Sequence, residues 1–351
     1  MALCLVTGGA GFIGSHLVEA LLDRGDNVRI LDNFSTGSAL NLTAVETKVE
    51  ITVGDITKPD DVRSAMKDVD LVFHNAALSP SPSQGIDPLL VHHVLATGTL
   101  HVLQAACDVG VRRVIFAGSA NVYRSDEDKP RQESDSTLPR SLYSIAKLTA
   151  EDYCAAFHQV YGLDTVRLRY FNVFGRRLLA GSLHSETVAY LLQSMRSGVR
   201  PMIRGDGKQK RDFTHVNDIV QANLLAADAP RVAGKVYNIA TGQPTSLLDL
   251  IDLINHILGS KIQAVPDRAS DESPRYLYAD IVQAQTELGF CPCTDLYRDL
   301  QDCLGNDHKN ANSETGQVRW DGVQALFPPR SSNRVTELSS RAASDRETIS
   351  R

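Results

Sequence analysis

The chain has 351 residues, of which 42% are hydrophobic and 22% charged, with a formal net charge of −6 at pH 7. This composition is typical of a globular enzyme with one large or two moderate domains. The acidic balance argues against a nucleic-acid-binding protein, and no apolar run approaches the length of a membrane span or lies in a signal-peptide context, so we expect a cytoplasmic protein with neither a nucleic-acid nor a membrane partner.

The first predicted elements are a strand, a glycine turn and a helix. The turn has the spacing G-x-G-x-x-G over residues 9–14, and apolar residues then recur at helical spacing up to Gly25. Such a turn lets the backbone approach a pyrophosphate, and the N-terminus of the helix favours anions. The next strand, residues 28–31, ends at Asp32. An acid about twenty residues past the glycines accepts hydrogen bonds from the adenosine ribose and repels a 2′-phosphate, which predicts NAD rather than NADP.

Strand and helix patterns continue to alternate after Asp32. Strands are predicted at residues 49–53, 70–74 and 113–117, and a long helix at about 88–109. Near-continuous apolar strands that alternate with helices predict an α/β fold with a Rossmann-type, doubly wound parallel sheet. Ligands of such sheets bind at the carboxyl ends of the strands. The residues predicted at these ends are Gly8, Asp32, Asp55, Ala76 and Ser119.

The predicted domains follow this pattern. Residues 1–174 form the NAD-binding domain that carries the catalytic residues, and residues 210–258 partly return to it. Residues 175–304 form mainly a smaller mixed α/β domain for the substrate, with amphipathic helices at 246–258 and 280–288.

The tail, residues 305–351, has a different composition. It is rich in Ser, Arg, Asn, Asp and Glu, and no sustained periodicity runs through it. We therefore predict a mostly disordered tail whose deletion from residue 306 onwards leaves folding and activity intact. A partner-binding segment around Trp320 and Phe327 is the alternative interpretation.

The chemistry is predicted at Tyr143 and Lys147, which start a helical pattern and lie one turn apart on the same face. A phenol has a pKa of about 10, and a neighbouring ammonium lowers that pKa because it favours the phenolate. Lys147 can also reach the nicotinamide ribose. Ser119, at the end of a neighbouring strand, can hold the same substrate oxygen. Ser119, Tyr143 and Lys147 are therefore the predicted catalytic residues.

The cysteines are the only candidates for metal or redox chemistry that composition suggests. The six cysteines are scattered, and Cys291-Pro292-Cys293 is the one close pair. Because no second pair and no histidine-rich partner accompany it, we predict neither a metal site nor a disulfide framework.

Taken together, these motifs resemble the extended short-chain dehydrogenase/reductases, and within them the NAD-dependent nucleotide-sugar epimerases typified by UDP-glucose 4-epimerase. The resemblance covers nearly all of residues 2–304, with the motifs in the order and spacing of the family. They lie at residues 7–14, 31–37, 54–56, 119–123, 143–147 and 169–175.

The resemblance implies a set of binding residues and an assembly. It implies a homodimer joined through the helix after Pro88 and the helix that bears Tyr143. For the substrate, a nucleotide sugar, it implies contacts from Ser119, Asn172, Arg211, Arg275 and Leu277, with the arginines on the diphosphate. For NAD, it implies contacts from Gly8, Gly11, Phe12, Ile13, Gly14, Asp32, Asn33, Asp55, Ile56, Asn75, Ala76, Ala77, Tyr143, Lys147 and Phe171.

The sub-class is predicted from the residues after Ser119. Related 4,6-dehydratases carry Asp-Glu there and related UDP-glucuronate decarboxylases carry Glu, whereas this chain has Ala120 and Asn121. Without an acid at these positions, simple inversion of carbon 4 of a UDP-hexose through a 4-keto intermediate is favoured. Such a reaction belongs to nucleotide-sugar metabolism and polysaccharide biosynthesis. Leu277, where a small residue would admit an acetamido group, favours UDP-glucose and UDP-galactose.

Several positions depart from the family pattern and keep alternatives open. Leu95 replaces an asparagine that contacts the cofactor, Arg124 replaces a glycine, and Pro80 and Gln84 replace serines of the sugar-facing loop. The alternatives are a 4-epimerase of UDP-N-acetylglucosamine or UDP-glucuronate, a 4,6-dehydratase, a 4-keto reductase, and a catalytically silent NAD-binding regulatory protein.

Overall fold

The computed structural model describes residues 1–78, 87–123, 127–178, 187–267 and 275–305. The predictions for Pro80, Gln84, Arg124 and the tail from residue 306, including Trp320 and Phe327, concern residues outside these ranges.

The strands of the described residues are β1 Leu3–Thr7, β2 Asn27–Asp32, β3 Glu50–Val53, β4 Leu71–His74, β5 Arg113–Ser119, β6 Thr165–Tyr170, β7 Val173–Phe174, β8 Met202–Arg204, β9 Lys210–Asp212, β10 Thr214–His215, β11 Val236–Ile239, β12 Pro244–Ser246, β13 Val265–Asp267 and β14 Tyr276–Leu277. The α-helices are α1 Phe12–Asp23, α2 Pro59–Ala65, α3 Pro88–His92, α4 Gly98–Val109, α5 Leu142–Tyr161, α6 Thr187–Arg196, α7 Val216–Asp228, α8 Leu247–Leu258, α9 Val282–Leu288 and α10 Leu296–Gly305.

A seven-stranded parallel sheet has the strand order β11-β6-β5-β4-β1-β2-β3. Its order reverses between β1 and β4, which is the topology of a doubly wound Rossmann sheet. The fold predicted from the alternation of strands and helices is thereby confirmed. The reversal places the carboxyl ends of β1 and β4 next to each other, with Thr7 opposite His74. Ligands of such sheets bind at this crevice.

Helices cover both faces of this sheet. Successive residues of a strand point to opposite faces, and neighbours such as Leu5 and Val6 accordingly belong to different apolar clusters. On one face, α1 and α7 bury Leu17 and Ile219 against the sheet. On the other face, α2, α4 and α5 bury side chains such as Val102. Burial on both faces explains why β4 and β5 are apolar along most of their length.

The predicted helix at 88–109 is present but is not a regular α-helix. Its middle, His93–Thr97, is a π-helical segment between α3 and α4. The extra residue of a π turn is rare and is frequently found at functional sites. The expectation that no apolar run approaches the length of a membrane span is wrong by length and composition. Among the described residues, the one helix long and apolar enough to cross a membrane is Pro88–Val109, and half of its most apolar window is buried inside the protein. Such burial is typical of a core helix.

The later segments contribute to two places. Helix α7 packs against the main sheet and strand β11 pairs with β6 at its edge. A separate apolar cluster is formed by α6, α8, α10 and their neighbours, including Leu191, Leu250 and Leu300. The predicted amphipathic helices are present as α8 and α9, and α8 begins with a capping box between Ser246 and Asp249. Where one domain ends and the next begins remains a prediction.

Candidate active site

The glycine turn between β1 and α1 is tightly packed. Gly8 has φ of +70°, and a Cβ at this position would lie 2.7 Å from the backbone nitrogen of Ala76. A Cβ on Gly14 would lie 2.1 Å from the carbonyl oxygen of Gly8. Side chains are therefore excluded at both positions. Within the described chain no side chain caps α1, whose N-cap is Gly11, so the first amides of this helix, at Phe12, Ile13 and Gly14, are suited to a phosphate.

Asp32 ends β2 as predicted, and its carboxylate faces the turn. It accepts hydrogen bonds from the amides of Ala10 at 2.9 Å and Phe34 at 2.8 Å. Only 7% of Asp32 is exposed, and this burial raises its pKa, although the two amides oppose the shift. Each carboxylate oxygen retains a lone pair after these bonds. The site can therefore accept a ribose hydroxyl.

Two of the predicted NAD contacts, Asn33 and Asp55, bond to each other. The Asn33 amide donates to the Asp55 carboxylate at 2.9 Å. The other Asp55 oxygen accepts from the N–H and the hydroxyl of Thr57, each at 2.8 Å. Burial raises the pKa of Asp55, but these hydrogen bonds outweigh it and the net shift is downward. The side chain of Ile56 is buried against Gly98. Because the Ile56 carbonyl lies 3.0 Å from His101 Nδ1, the backbone N–H of Ile56 is the group left for the predicted cofactor contact.

Asn75, Ala76 and Ala77 follow β4 and lie beside the glycine turn. Asn75 donates its backbone N–H to the Thr7 carbonyl at 3.1 Å. Both polar atoms of the Asn75 side chain are buried and have no hydrogen-bond partner among the described residues. A buried amide without partners costs free energy unless a ligand or water satisfies it. Together with the glycine turn and Asp32, this orphaned amide fits the predicted dinucleotide.

Lys147 joins α5 to the strand that carries Ser119. Its ammonium donates to the carbonyl of Ala117 at 2.9 Å and lies 5.1 Å from the centre of the Phe116 ring. Only 4% of Lys147 is exposed, and burial lowers its pKa from 10.5 to about 8. Tyr143, one turn earlier on α5, is half-buried and packs against an apolar cluster that contains Leu95. The structure thus brings the elements of the predicted catalytic residues together.

Ser119 is the last residue of β5. Its hydroxyl oxygen accepts the N–H of Asn121 at 3.2 Å, because Ser119 caps the short 3₁₀ turn Ala120–Val122. Ala120 is buried and Asn121 is exposed. The strand-end hydroxyl is held by a local turn.

The structure limits what two predicted residues can do. Phe171 is fully buried beside Tyr123, with the ring centres 6.2 Å apart. Its predicted cofactor contact can therefore come from the backbone but not from the side chain. Asn172 has a φ of +29°, and its amide donates to the Asp212 carbonyl at 3.0 Å. Its predicted sugar-nucleotide contact requires the remaining capacity of this amide.

Of the predicted substrate arginines, Arg211 lies in β9 of a small sheet of strand order β12-β9-β14, and Arg275 directly precedes β14. Arg211 donates to the carbonyl oxygens of Lys210 at 2.9 Å and Arg275 at 3.3 Å. Arg275 forms an exposed ion pair with Asp206 at 3.1 Å. Leu277 is paired in register with Arg211 and is 2% exposed. It packs in one cluster with Ala120 and Val122, the residues that follow Ser119.

Sequence reasoning missed the polar residues buried behind the site. His74 bonds to Thr7 and Thr99 in the sheet interior. Arg169 bonds to Glu151 and to the hydroxyl of Tyr123. The histidine that ends the otherwise apolar β4 is a signal that could have identified His74, whereas β6 contains Arg167 as well as Arg169 and gives no such signal. Among the described residues no cluster of three or more His, Cys, Asp or Glu side chains is placed to hold a metal ion.

The sequence matches a known family over most of its length. The profile of the NAD dependent epimerase/dehydratase family matches residues 4–240. The UDP-glucose 4-epimerase of Lacticaseibacillus casei is 31% identical over 324 residues, with 87% of this chain and 96% of that protein covered.

Solved structures of related enzymes are also similar. The UDP-N-acetylglucosamine 4-epimerase from Methanobrevibacter ruminantium M1, in complex with UDP-N-acetylmuramic acid, has a TM-score of 0.82 at 33% identity and covers 88% of this chain and 99% of its own. The UDP-glucuronic acid 4-epimerase from Bacillus cereus, in complex with UDP-glucuronic acid and NAD, has a TM-score of 0.80 at 28% identity, with 88% and 99% covered.

Proposed function

This chain belongs to the NAD dependent epimerase/dehydratase family, and we propose that it inverts carbon 4 of a UDP-hexose of the UDP-glucose and UDP-galactose type. The family is NAD-dependent and its enzymes act on nucleotide sugars. The observation that carries the proposal is the hydrogen bond from Lys147 to Ala117. This bond links the helix of Tyr143 to the strand that ends in Ser119. Neither of the two residues directly after Ser119 is an acid.

The residues of this chain would perform the acid–base part of the reaction. Tyr143 takes the proton of the 4-hydroxyl, and the Lys147 ammonium stabilises the phenolate that makes Tyr143 a base. Ser119 donates a hydrogen bond to the same oxygen as it becomes a ketone. When bound, NAD supplies the hydride acceptor and donor for carbon 4. Both roles of NAD leave its redox state unchanged over one cycle.

Inversion also requires that the 4-keto sugar rotates within the site, so that its opposite face is presented, without dissociating from the enzyme. Arg211 and Arg275 would hold the diphosphate while the sugar rotates about its phosphate linkage. Arg275 is paired with the exposed Asp206, an ion pair that is weak in water. The guanidinium can therefore exchange this partner for a diphosphate at small cost.

The residues after Ser119 disfavour a dehydratase, because Ala120 and Asn121 provide no acid for proton transfer at the neighbouring carbons.

The choice of sugar rests on Leu277. This side chain is buried against the residues that follow Ser119, and a branched aliphatic group leaves less room than serine and offers no partner to an acetamido group. We further propose that the enzyme is a homodimer and acts in the cytoplasm. Exposed apolar residues of α3 and α5 support the dimer.

The test is incubation of the purified protein with UDP-glucose, UDP-galactose, UDP-N-acetylglucosamine and UDP-glucuronic acid in heavy water, with and without NADH. We expect interconversion of UDP-glucose and UDP-galactose without added cofactor and without deuterium at carbon 4. Tyr143→Phe should abolish turnover and leave NAD bound, whereas Tyr161→Phe, on the same helix, should retain turnover. Deuterium at carbon 4 would exclude internal return of the hydride. A 4-keto-6-deoxy product would replace the proposal with a dehydratase, a stoichiometric need for NADH would replace it with a reductase, and preferential turnover of another sugar would correct the substrate.

A further inference from the structure

A chain of hydrogen bonds connects the glycine turn to the π turn. Thr7 Oγ1 and His74 Nδ1 are 2.7 Å apart, and His74 Nε2 and Thr99 Oγ1 are 3.0 Å apart. Thr99 donates from Oγ1 to the carbonyl of Leu95 at 2.6 Å. At the other end, the N–H of Ala76 donates to Thr7 Oγ1 at 3.2 Å. This series of hydrogen bonds therefore joins the ends of β1 and β4 to the π segment.

The hydrogen bonds have one consistent direction. Because the Thr99 hydroxyl gives its hydrogen to Leu95, its oxygen accepts the hydrogen of His74 Nε2. His74 Nδ1 is then unprotonated and accepts the hydrogen of the Thr7 hydroxyl, whose oxygen accepts the amide of Ala76. This assignment of the tautomer follows from the network. A doubly protonated ring would leave the Thr7 hydrogen without its acceptor. Only a neutral His74 with its hydrogen on Nε2 satisfies every member of the chain.

Each end of this series of hydrogen bonds contacts a part of the candidate site. At one end, the backbone of Ala76 packs against Gly8 so closely that a Cβ on Gly8 would lie 2.7 Å from the Ala76 nitrogen. At the other end, the side chain of Leu95 is buried in the apolar cluster on which Tyr143 packs. The position of the Ala76 backbone therefore affects the cofactor turn. The position of Leu95 affects the surroundings of the tyrosine.

We propose that His74 is a positioning residue that fixes both the cofactor turn, through Thr7 and Ala76, and the apolar support of Tyr143, through Thr99 and Leu95. The Thr7 half of the proposal rests on the NAD-dependence of the family, and the Thr99 half also rests on the proposed function. The Thr99 hydroxyl donates to a carbonyl inside the π segment, so this irregular turn has a specific side-chain donor for one of its carbonyl groups.

The environment of His74 agrees with a role in positioning rather than in proton transfer. The residue is 1% exposed, and its ring lies 5.9 Å from the ring of Phe116, which in turn contacts Lys147. Burial, with a smaller contribution from the Lys147 charge, lowers the pKa of His74 to about 3. The ring therefore stays neutral at physiological pH and does not take up a second proton.

The two nitrogens of His74 can be tested separately in the full-length protein. Asn places its amide oxygen near the position of Nδ1, so His74→Asn retains an acceptor for Thr7 and loses the donor to Thr99. Gln places its amide nitrogen near the position of Nε2, so His74→Gln retains the donor to Thr99 and loses the acceptor for Thr7. Thr99→Val removes the same half as His74→Asn without touching the imidazole, and Thr99→Ser is its conservative control.

The readouts are the Kd for NAD, measured by calorimetry, and the titration of Tyr143, measured by NMR with ¹³C-labelled tyrosine and assigned with Tyr143→Phe. We expect His74→Gln to raise the Kd for NAD about tenfold, the loss of roughly one hydrogen bond, with little change at Tyr143. We expect His74→Asn and Thr99→Val to shift the Tyr143 titration and leave the Kd within about twofold. Thr99→Ser should restore the original titration.

The proposal is wrong if the His74 variants and Thr99→Val lower the Tm without changing either readout, because a purely structural role gives that result. If the His74 variants do not fold, the comparison of Thr99→Val with Thr99→Ser decides the Tyr143 half, and the Kd of Thr7→Val against Thr7→Ser decides the cofactor half. Neither readout requires turnover. A wild-type protein that converts no sugar would therefore contradict the proposed function and still leave this test valid.

Discussion

Arg169 of β6 and Glu151 of α5 form a buried ion pair behind the candidate site. The guanidinium reaches the carboxylate at 2.5 Å through Nη2 and at 3.0 Å through Nε, and it also donates to the hydroxyl of Tyr123 at 2.5 Å. Glu151 lies one helical turn after Lys147. The pair therefore fixes α5 to β6, and β6 is the neighbour of β5, which carries Ser119.

Removal of one member of this pair should strongly destabilise the fold. Glu151→Ala leaves the Arg169 charge buried without its partner, which costs about 3–5 kcal/mol in comparable cases. We expect a large decrease in the Tm and in the free energy of unfolding measured with urea. Arg63→Ala, which breaks the exposed pair of Arg63 and Asp60, is the control and should have little effect. Equal effects of the two variants would show that burial does not determine the strength of the Arg169 pair.

A second prediction concerns the cost of the buried ammonium of Lys147. Burial lowers the pKa of Lys147 from 10.5 to about 8, so the unfolded chain keeps this proton over a pH range in which the folded chain has released it. The charged ammonium thus destabilises the cofactor-free protein by about 3 kcal/mol below pH 8, at about 1.4 kcal/mol per pKa unit. The penalty decreases as the pH rises from 8 to 10.5.

Lys147→Met should therefore raise the Tm of the cofactor-free protein at pH 7 and abolish turnover. The difference in Tm between this variant and the wild type should shrink between pH 8 and pH 10, where the folded wild type becomes neutral at Lys147. Differential scanning calorimetry over this range measures it. A lower Tm of Lys147→Met at pH 7 would show that the hydrogen bond to Ala117 outweighs the desolvation of the charge.

The parts of the site that are local in sequence were predictable, and the parts that depend on distant contacts were not. The glycine turn, Asp32 and the Tyr143–Lys147 pair lie within short segments, so their spacing alone indicates their geometry. His74 is different, because its partners Thr7 and Thr99 are 67 and 25 residues away. The π segment was also missed, since one inserted residue does not alter the helical periodicity enough to be seen. The fully buried side chain of Phe171 likewise depends on packing against Tyr123.

A third prediction concerns the choice of cofactor. Asp32→Ala combined with Asn33→Arg removes the ribose acceptor and adds a guanidinium for a 2′-phosphate, so the Kd for NAD should rise and the Kd for NADP should fall. The structure adds a cost, because Asp32→Ala also leaves the amides of Ala10 and Phe34 without their acceptor. Asp32→Ala alone, compared with the wild type by its Tm and its Kd for NAD, is the control for this cost. An unchanged Kd for NAD in the double variant would mean that Asp32 does not contact the ribose.

A fourth prediction concerns the dimer. Leu89 on α3 is 79% exposed, and α3 packs beside α5, where Ile145 and Leu142 are also exposed. Such apolar neighbours on one face are typical of an interface. Leu89→Glu should therefore shift the protein from dimer to monomer in light scattering at micromolar concentration. Val282→Glu places the same charge at an exposed apolar residue of α9 and should not. A monomeric wild type would contradict the prediction.

The last prediction concerns the sugar. Leu277 is buried in the cluster that contains Ala120 and Val122, so a smaller residue at this position enlarges the space next to the end of β5. Leu277→Ser should raise the ratio of kcat/KM for UDP-N-acetylglucosamine to that for UDP-glucose about tenfold, a typical effect of a methylene-sized change in a pocket. Leu277→Met, which keeps the volume, should leave the ratio unchanged. The stability of the variants must be compared as well, because a buried leucine contributes to packing. If the wild type already prefers UDP-N-acetylglucosamine, or if Leu277→Ser lowers both kcat/KM values equally, Leu277 does not select the sugar.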